Sequence, residues 1–257
     1  MCLLNGFFVS GLTVKKYNTR RDMGVNAAID VARRLRQVIQ EKGEANMVFA
    51  AAPSQNEFLN GLTSIGGIAW DRVNAFHMDE YIGLPEDAPQ AFGQFLRDRI
   101  FGLRAFKSVN YLDGNAANLD AECQRYETLL RAHRPDIVCM GIGENGHIAF
   151  NDPWVADFRD QKWVKVVELD QICRNQQVND GCFDSISAVP THAITLTIPA
   201  LTAAESIFCV VPSRTKARAV WNTLYGEISE SCPASILRRH KDAVLYCDKD
   251  SAQLLRK

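Results

Sequence analysis

Four short stretches of the chain place reactive side chains directly after apolar runs: APSQNEF at 52–58, HMDEYIGLP at 77–85, GIGENGHIAFNDP at 141–153 and PSRTKARA at 212–219. The third sets His147 among Gly141, Gly143 and Gly146, which permit a tight backbone path and expose amides to a ligand. An imidazole there faces a cleft and can carry protons near neutral pH. The second offers adjacent carboxylates, Asp79 and Glu80, a pattern that also fits a helix cap or a solvated turn. The fourth puts Arg214 and Lys216 at the start of a helix, against the sign that a helix amino end prefers. Two cations there make sense if a bound anion joins them, and solvated surface charge is the alternative. The GxGxxG spacing of the third stretch does not read as a dinucleotide loop. Asp152-Pro153 interrupts the helix such a loop would open, and no acidic ribose ligand follows at the expected distance.

Side chains at strand exits need strands to carry them. Apolar runs of strand length stand at 47–52, 72–79, 136–143, 192–198, 206–212 and 243–248. Helical patterns lie between them at 22–42, 54–62, 89–101, 121–132 and 214–226. Continuous apolar strands alternating with helices predict an α/β fold: a doubly wound, mostly parallel, Rossmann-like sheet with helices on both faces. Ligands bind such sheets at the carboxyl ends of the strands, where all four stretches fall. No repeat, low-complexity tract or linker divides the chain, so residues 1–257 read as one domain.

Composition limits the partners. With 29 basic and 30 acidic residues the net charge is -1, which offers no overall footprint for nucleic acid. The eight cysteines, Cys2 among them, show no CxxC spacing, and several sit inside apolar runs. Reduced thiols in a cytoplasmic setting are the expectation, rather than a disulfide frame or a metal site. No stretch approaches the roughly twenty apolar residues of a membrane span. The first forty residues hold one amphipathic helix and no helix-turn-helix pair, which argues against a complete transcription regulator.

Together the four exits resemble the glucosamine-6-phosphate deaminase/isomerase family, from about residue 45 to the end of the chain. FHMDEYIGLP is similar to the family's general-base stretch, which implies that role for Asp79, with Glu80 beside the substrate. GIGENGHIAFNDP is similar to its active-site loop. The ring-opening histidine falls on His147, its acidic partner on Asp152, and Asn145 and Gly146 complete the loop. AVPTHAITLTIPAL resembles the segment after a mobile lid, and VVPSRTKARAV the phosphate-binding turn, with Lys216 and Arg214 as its cations. Ser54 and Gln55 supply the remaining substrate contacts. The resemblance implies conversion of an amino-sugar 6-phosphate to the ketose 6-phosphate plus ammonia, with no metal or organic cofactor. The partner is then a small sugar phosphate, with no nucleic acid and no membrane, and homo-oligomerisation is left open.

Four departures bear on the substrate. The family's Gly/Thr-rich phosphate loop is AAAPSQNEF here, the nearest counterpart of its lid arginine is Arg174, Asn145 stands where some members carry an acid, and Asp152 replaces the usual glutamate. The alternatives are an isomerase or lactonase for a different phosphorylated sugar, or a non-catalytic sugar-phosphate-binding protein. Related lactonases usually carry a GHTASLFP-like loop, which this chain lacks.

Overall fold

The computed structural model describes residues 3–85 and 87–255. Its main sheet has eight strands in the order β1-β2-β11-β10-β7-β3-β4-β6. Strands β2 (Leu12–Tyr17), β11 (Ala243–Cys247), β10 (Ser206–Val211), β7 (Ile137–Met140), β3 (Ala45–Phe49), β4 (Val73–His77) and β6 (Ser108–Asn110) run parallel. Only β1 (Leu3–Val9) is antiparallel to its neighbour. Alternate residues of one strand enter different cores: Ile137 and Cys139 pack on one face, Val138 and Met140 on the other. Helices α1 (Arg20–Lys42), α2 (Asn56–Ser64) and α3 (Phe92–Leu96) cover the first face. Helices α4 (Leu119–Ala132), α6 (Ile198–Thr202) and α7 (Ala217–Tyr225) cover the second. The doubly wound arrangement follows from strands that are apolar on both sides.

The strand order fixes where a ligand can enter. From β3 the chain builds outward through β4 to β6, then returns to place β7 on the other side of β3 and continues through β10 to β11. The order reverses between β3 and β7, so the crossovers diverge and leave a crevice above the carboxyl ends of those two strands. The four reactive stretches follow β3, β4, β7 and β10, which are consecutive neighbours in the sheet.

Three sequence expectations are corrected. The run at 192–198 is not a strand of the parallel sheet. Its residues His192–Leu196 form β9, the centre of a separate antiparallel sheet between β5 (Asp79–Tyr81) and β8 (Val164–Glu168). Ala193 through Leu196 are all buried, and a strand covered on both faces reads alike in either kind of sheet. Residues 72–79 likewise divide between β4 and β5, because the chain changes sheets at Met78. At the amino end, β1 and β2 form a hairpin where only one helix was expected. Ser10 (φ 46°) and Gly11 (φ 97°) both adopt positive φ, as the tightest two-residue hairpin turns require.

Helix α1 is set by local signals. Thr19 caps its amino end by accepting from Asp22 N–H, and Gly43, at φ 81°, ends it in the left-handed conformation. Its buried stripe of Met23, Ala27, Val31 and Leu35 recurs at helical spacing. Close packing on α2 depends on Gly24, where an added Cβ would lie 2.6 Å from Glu57 Cβ and 2.8 Å from the backbone. Gly24→Ala should therefore cost about 1–3 kcal/mol through overpacking, read as a lower urea midpoint with an unchanged slope.

Candidate active site

The loop after β7 is shaped around one ring. Gly143 lies so close to the His147 imidazole that any Cβ there would fall 2.1 Å from the ring, which only glycine allows. Gly143 N–H donates to His147 O and Gly146 N–H to Gly143 O, so two of the three glycine amides expected to face a ligand are used inside the loop. Gly146 turns the chain at φ 88°, against Cys232, and does not line the cavity.

The His147 ring meets two acceptors on one side. Its Nδ1 lies 2.7 Å from Asn145 Oδ1 and 3.0 Å from Asp152 Oδ1, while Asn145 Nδ2 donates to Asp152 Oδ1 at 2.8 Å. Since both neighbours of Nδ1 are oxygens, the proton of a neutral ring resides on Nδ1 and the Nε2 lone pair is free for chemistry. Burial pushes the Asp152 carboxyl up, but hydrogen bonds from His147 and Asn145 and the charge of His147 outweigh it and hold the group below its ordinary range. A ring nitrogen of His147, a carboxylate oxygen of Asp152 and Cys173 Sγ lie within 4.8 Å of one another, a donor set of metal-ligand type in which His147 and Asp152 already bond each other.

Asp79 opens β5 and lines the same cavity as His147. Burial, reinforced by the neighbouring charge of Glu80, raises its carboxyl well above the ordinary value. Glu80 points the opposite way, because successive strand residues alternate faces. Its carboxylate accepts from the backbone N–H groups of Tyr81, Phe92 and Gly93 at 2.7–2.9 Å, which ties β5 to the amino end of α3 and leaves Glu80 outside the cavity.

The same cavity also holds a cation. Lys216 ends a 3-10 turn (Arg214–Lys216) entered through Ser213, a non-glycine residue strained at φ 86°. Its Nζ is buried and finds no hydrogen-bond partner among the described residues. Burial lowers its pKa, and the charges of Asp180 and Glu144 offset only part of that. Arg214 is exposed and does not line the cavity: two residues along a 3-10 turn is about 240°, so a turn that directs Lys216 inward directs Arg214 out. Ser54 and Gln55 both line the cavity, but Gln55 Nε2 is engaged by Ser54 Oγ and Val210 O, while its Oε1 is buried without a partner.

The segment around Arg174, which resembles the family's lid, holds a helix that the sequence pattern did not reveal. Helix α5 (Gln171–Asn179), capped by Asp170, contributes Gln176 and Gln177 to the lining of the cavity beside Asp180, and the cavity holds about 70 Å³. Arg174 is not part of it, since its Nη2 donates to Ile186 O and Val189 O within the same segment. Phe92 and Phe150, stacked 5.6 Å apart, form an apolar wall. In QICRNQQVN the polar side chains outnumber the apolar ones, so no periodic stripe marked the helix.

Comparison with known proteins gives a consistent picture. The sequence model of the family described as glucosamine-6-phosphate isomerases/6-phosphogluconolactonase matches residues 18–246. A glucosamine-6-phosphate deaminase of Listeria innocua is 34% identical over 213 residues, covering 83% of this chain and 89% of the relative. One of Bacillus cereus is 37% identical over 183 residues, covering 71% and 68%. A solved structure described as a monomeric glucosamine-6-phosphate deaminase superimposes with a TM-score of 0.85 at 32% identity, covering 94% of this chain and 99% of that one. The 6-phosphogluconolactonase of Thermotoga maritima, 17% identical with a TM-score of 0.74 over 93% of this chain and all of the other, shares the fold.

A buried, unpartnered ammonium is a stability liability. Lys216→Met should raise unfolding stability by about 0.5–2 kcal/mol at neutral pH. The unfolded chain binds the lysine proton more tightly than the folded one, so wild-type stability rises with pH toward the ordinary lysine range and the gap to the variant narrows there. Urea titrations at neutral and alkaline pH check both the sign and the trend.

Proposed function

We propose that this chain, which belongs to the family of glucosamine-6-phosphate isomerases and 6-phosphogluconolactonases, is a glucosamine-6-phosphate deaminase. It converts glucosamine 6-phosphate and water to fructose 6-phosphate and ammonia. The observation that carries the reading is the company kept in one cavity: an imidazole with its free lone pair at Nε2, a carboxyl of raised pKa and an ammonium without a partner. Perturbed groups converging on a cleft are what proton-transfer chemistry on an anionic substrate needs. The seven described cysteines are free, six of them buried, and no helix among the described residues is long and apolar enough to cross a membrane. The free, mostly buried thiols support a cytoplasmic setting.

Each group has a task in this reading. The substrate phosphate pairs with Lys216 and the Ser54 hydroxyl near the amino end of α2, which favours anions. His147 Nε2 takes the proton of the anomeric hydroxyl and delivers it to the ring oxygen, opening the ring, while Asn145 and Asp152 hold Nδ1–H and stabilise the imidazolium that forms in passing. Asp79 removes the proton from carbon 2 of the open chain and returns it at carbon 1, leaving an imine at carbon 2. Water adds there, the amine leaves as ammonia, and the ketose remains. A sugar phosphate needs more room than a cavity of about 70 Å³, so the lining from α5, Gln176 and Gln177, gives way to admit it.

Ammonia release and fructose 6-phosphate formation from glucosamine 6-phosphate test the assignment directly, and a chain that binds the sugar phosphate without turnover is a binding protein instead. Asp79→Asn should lower turnover by about 100-fold to 10,000-fold while the fold is kept. His147→Gln should slow the closed-ring substrate far more than a substrate presented in open-chain form. Equal losses on both would remove His147 from ring opening.

A further inference from the structure

His77 takes no part in the chemistry above, yet both nitrogens of its ring are hydrogen-bonded. It ends β4, fully buried, one residue before the chain changes sheets and two before Asp79. Its ring doubles forward, with Nδ1 2.9 Å from the backbone oxygen of Asp79. On the other side, Nε2 accepts the N–H of Leu112 at 2.9 Å. A carbonyl at one nitrogen and an N–H at the other admit a single protonation state, the neutral ring with its proton on Nδ1. The backbone of His77 is held as well: its N–H donates to Tyr126 Oη at 2.9 Å, and the same hydroxyl lies 2.9 Å from its carbonyl oxygen.

We infer that His77 is a positioning residue for Asp79, fixing the peptide that carries the carboxylate so that it reaches carbons 1 and 2 of the substrate from one place. The inference rests on the function proposed above. The strap is needed because Asp79 is the first residue beyond a sheet crossing, where neither sheet holds the chain by a regular ladder on both sides. It is a strap without charge. Burial pushes the His77 imidazole down to about 4, a fall that the bond to Asp79 O and the charge of Glu122 only partly oppose. A cationic anchor would favour the ionised carboxylate and make Asp79 a weaker base, whereas a neutral ring orients it and leaves its basicity alone. The titratable groups around the ring are Asp79 itself, Glu122 and Tyr126 of α4, and Tyr111, whose ring lies 5.9 Å away edge to face.

Two substitutions separate the strap from the bulk of the ring. Asn can place its Nδ2 near the position of Nδ1 and keep the bond to Asp79 O while losing the acceptor for Leu112. Gln can place its carbonyl near Nε2 and keep Leu112 while losing Asp79. His77→Asn should hold kcat within about threefold of wild type, whereas His77→Gln should lose about 10-fold to 100-fold in kcat with KM nearly unchanged, the scale expected when a catalytic group shifts by about 1 Å. The acid limb of the kcat profile, which reports Asp79, should move in His77→Gln and stay in His77→Asn. Wild-type kcat and pH profile in a folded His77→Gln overturn the inference, as do equal losses in both folded variants. If neither variant folds, long-range 1H–15N spectra of the wild-type imidazole decide: a proton on Nδ1 and a bare Nε2 from about pH 6 to about pH 8 support the strap, and the other tautomer or a charged ring overturns it. That measurement needs no substrate, so it stands apart from any failure of the wild type to release ammonia.

Discussion

The reversal of strand order between β3 and β7 is the constraint on which everything else rests. A right-handed crossover must lie over the sheet on one face, and crossovers leaving neighbouring strands in opposite directions cannot close the space between them. The chain fills it with loops instead of side chains of the core. Those loops bring backbone and polar groups together beside an apolar wall of Phe92 and Phe150 and against α5, where Asp79, His147 and Lys216 are buried. Low polarity then acts on whatever ionisable groups the loops carry.

That action differs from group to group. Asp79 has no cation close by and is driven toward its neutral form, while Asp152, equally buried, is held ionised by His147 and Asn145. Two aspartates a short distance apart are thus given opposite leanings by their neighbours, one toward accepting protons and one toward staying charged. Lys216 is biased toward losing its charge and is left with an unmet need for an anion. A resting site so composed is poorly satisfied on its own terms, and a phosphorylated ligand would supply the missing partner.

The fold was legible because its signals are local and repeated. Unbroken apolar runs, such as IFCVV in β10, need cover on both faces, and α1 announces itself through Thr19, its stripe and Gly43. Asp79, His147, Ser54, Gln55 and Lys216 line one cavity, with Asn145 and Asp152 against the His147 ring, and all seven stood out in the sequence because they lie in stretches that follow strands. What stayed hidden depends on direction and distance. Nothing in MDEY says that Asp79 faces the cavity and Glu80 the amino end of α3, since the strand boundary at Met78 decides the face. Arg214 and Lys216 look equivalent in RTK until the turn separates them by two residues of 3-10 rotation. Helix α5 escaped notice because its buried side, Cys173 with Gln176 and Gln177, is mostly polar.

The pairing of β2 with β11 carries a consequence for how the molecule is made. Val14 sits opposite Leu245 across a separation of well over two hundred residues. At roughly 5–20 residues per second, a ribosome takes on the order of ten to forty seconds to travel from one partner to the other. During that interval the parallel partner of β2 has not been made, and a lone β1–β2 hairpin is marginal in water. The strip of sheet nearest the amino end is therefore among the last to be secured. Slow closure of distant contacts of this kind leaves nascent chains dependent on whatever shields an exposed strand edge until synthesis ends.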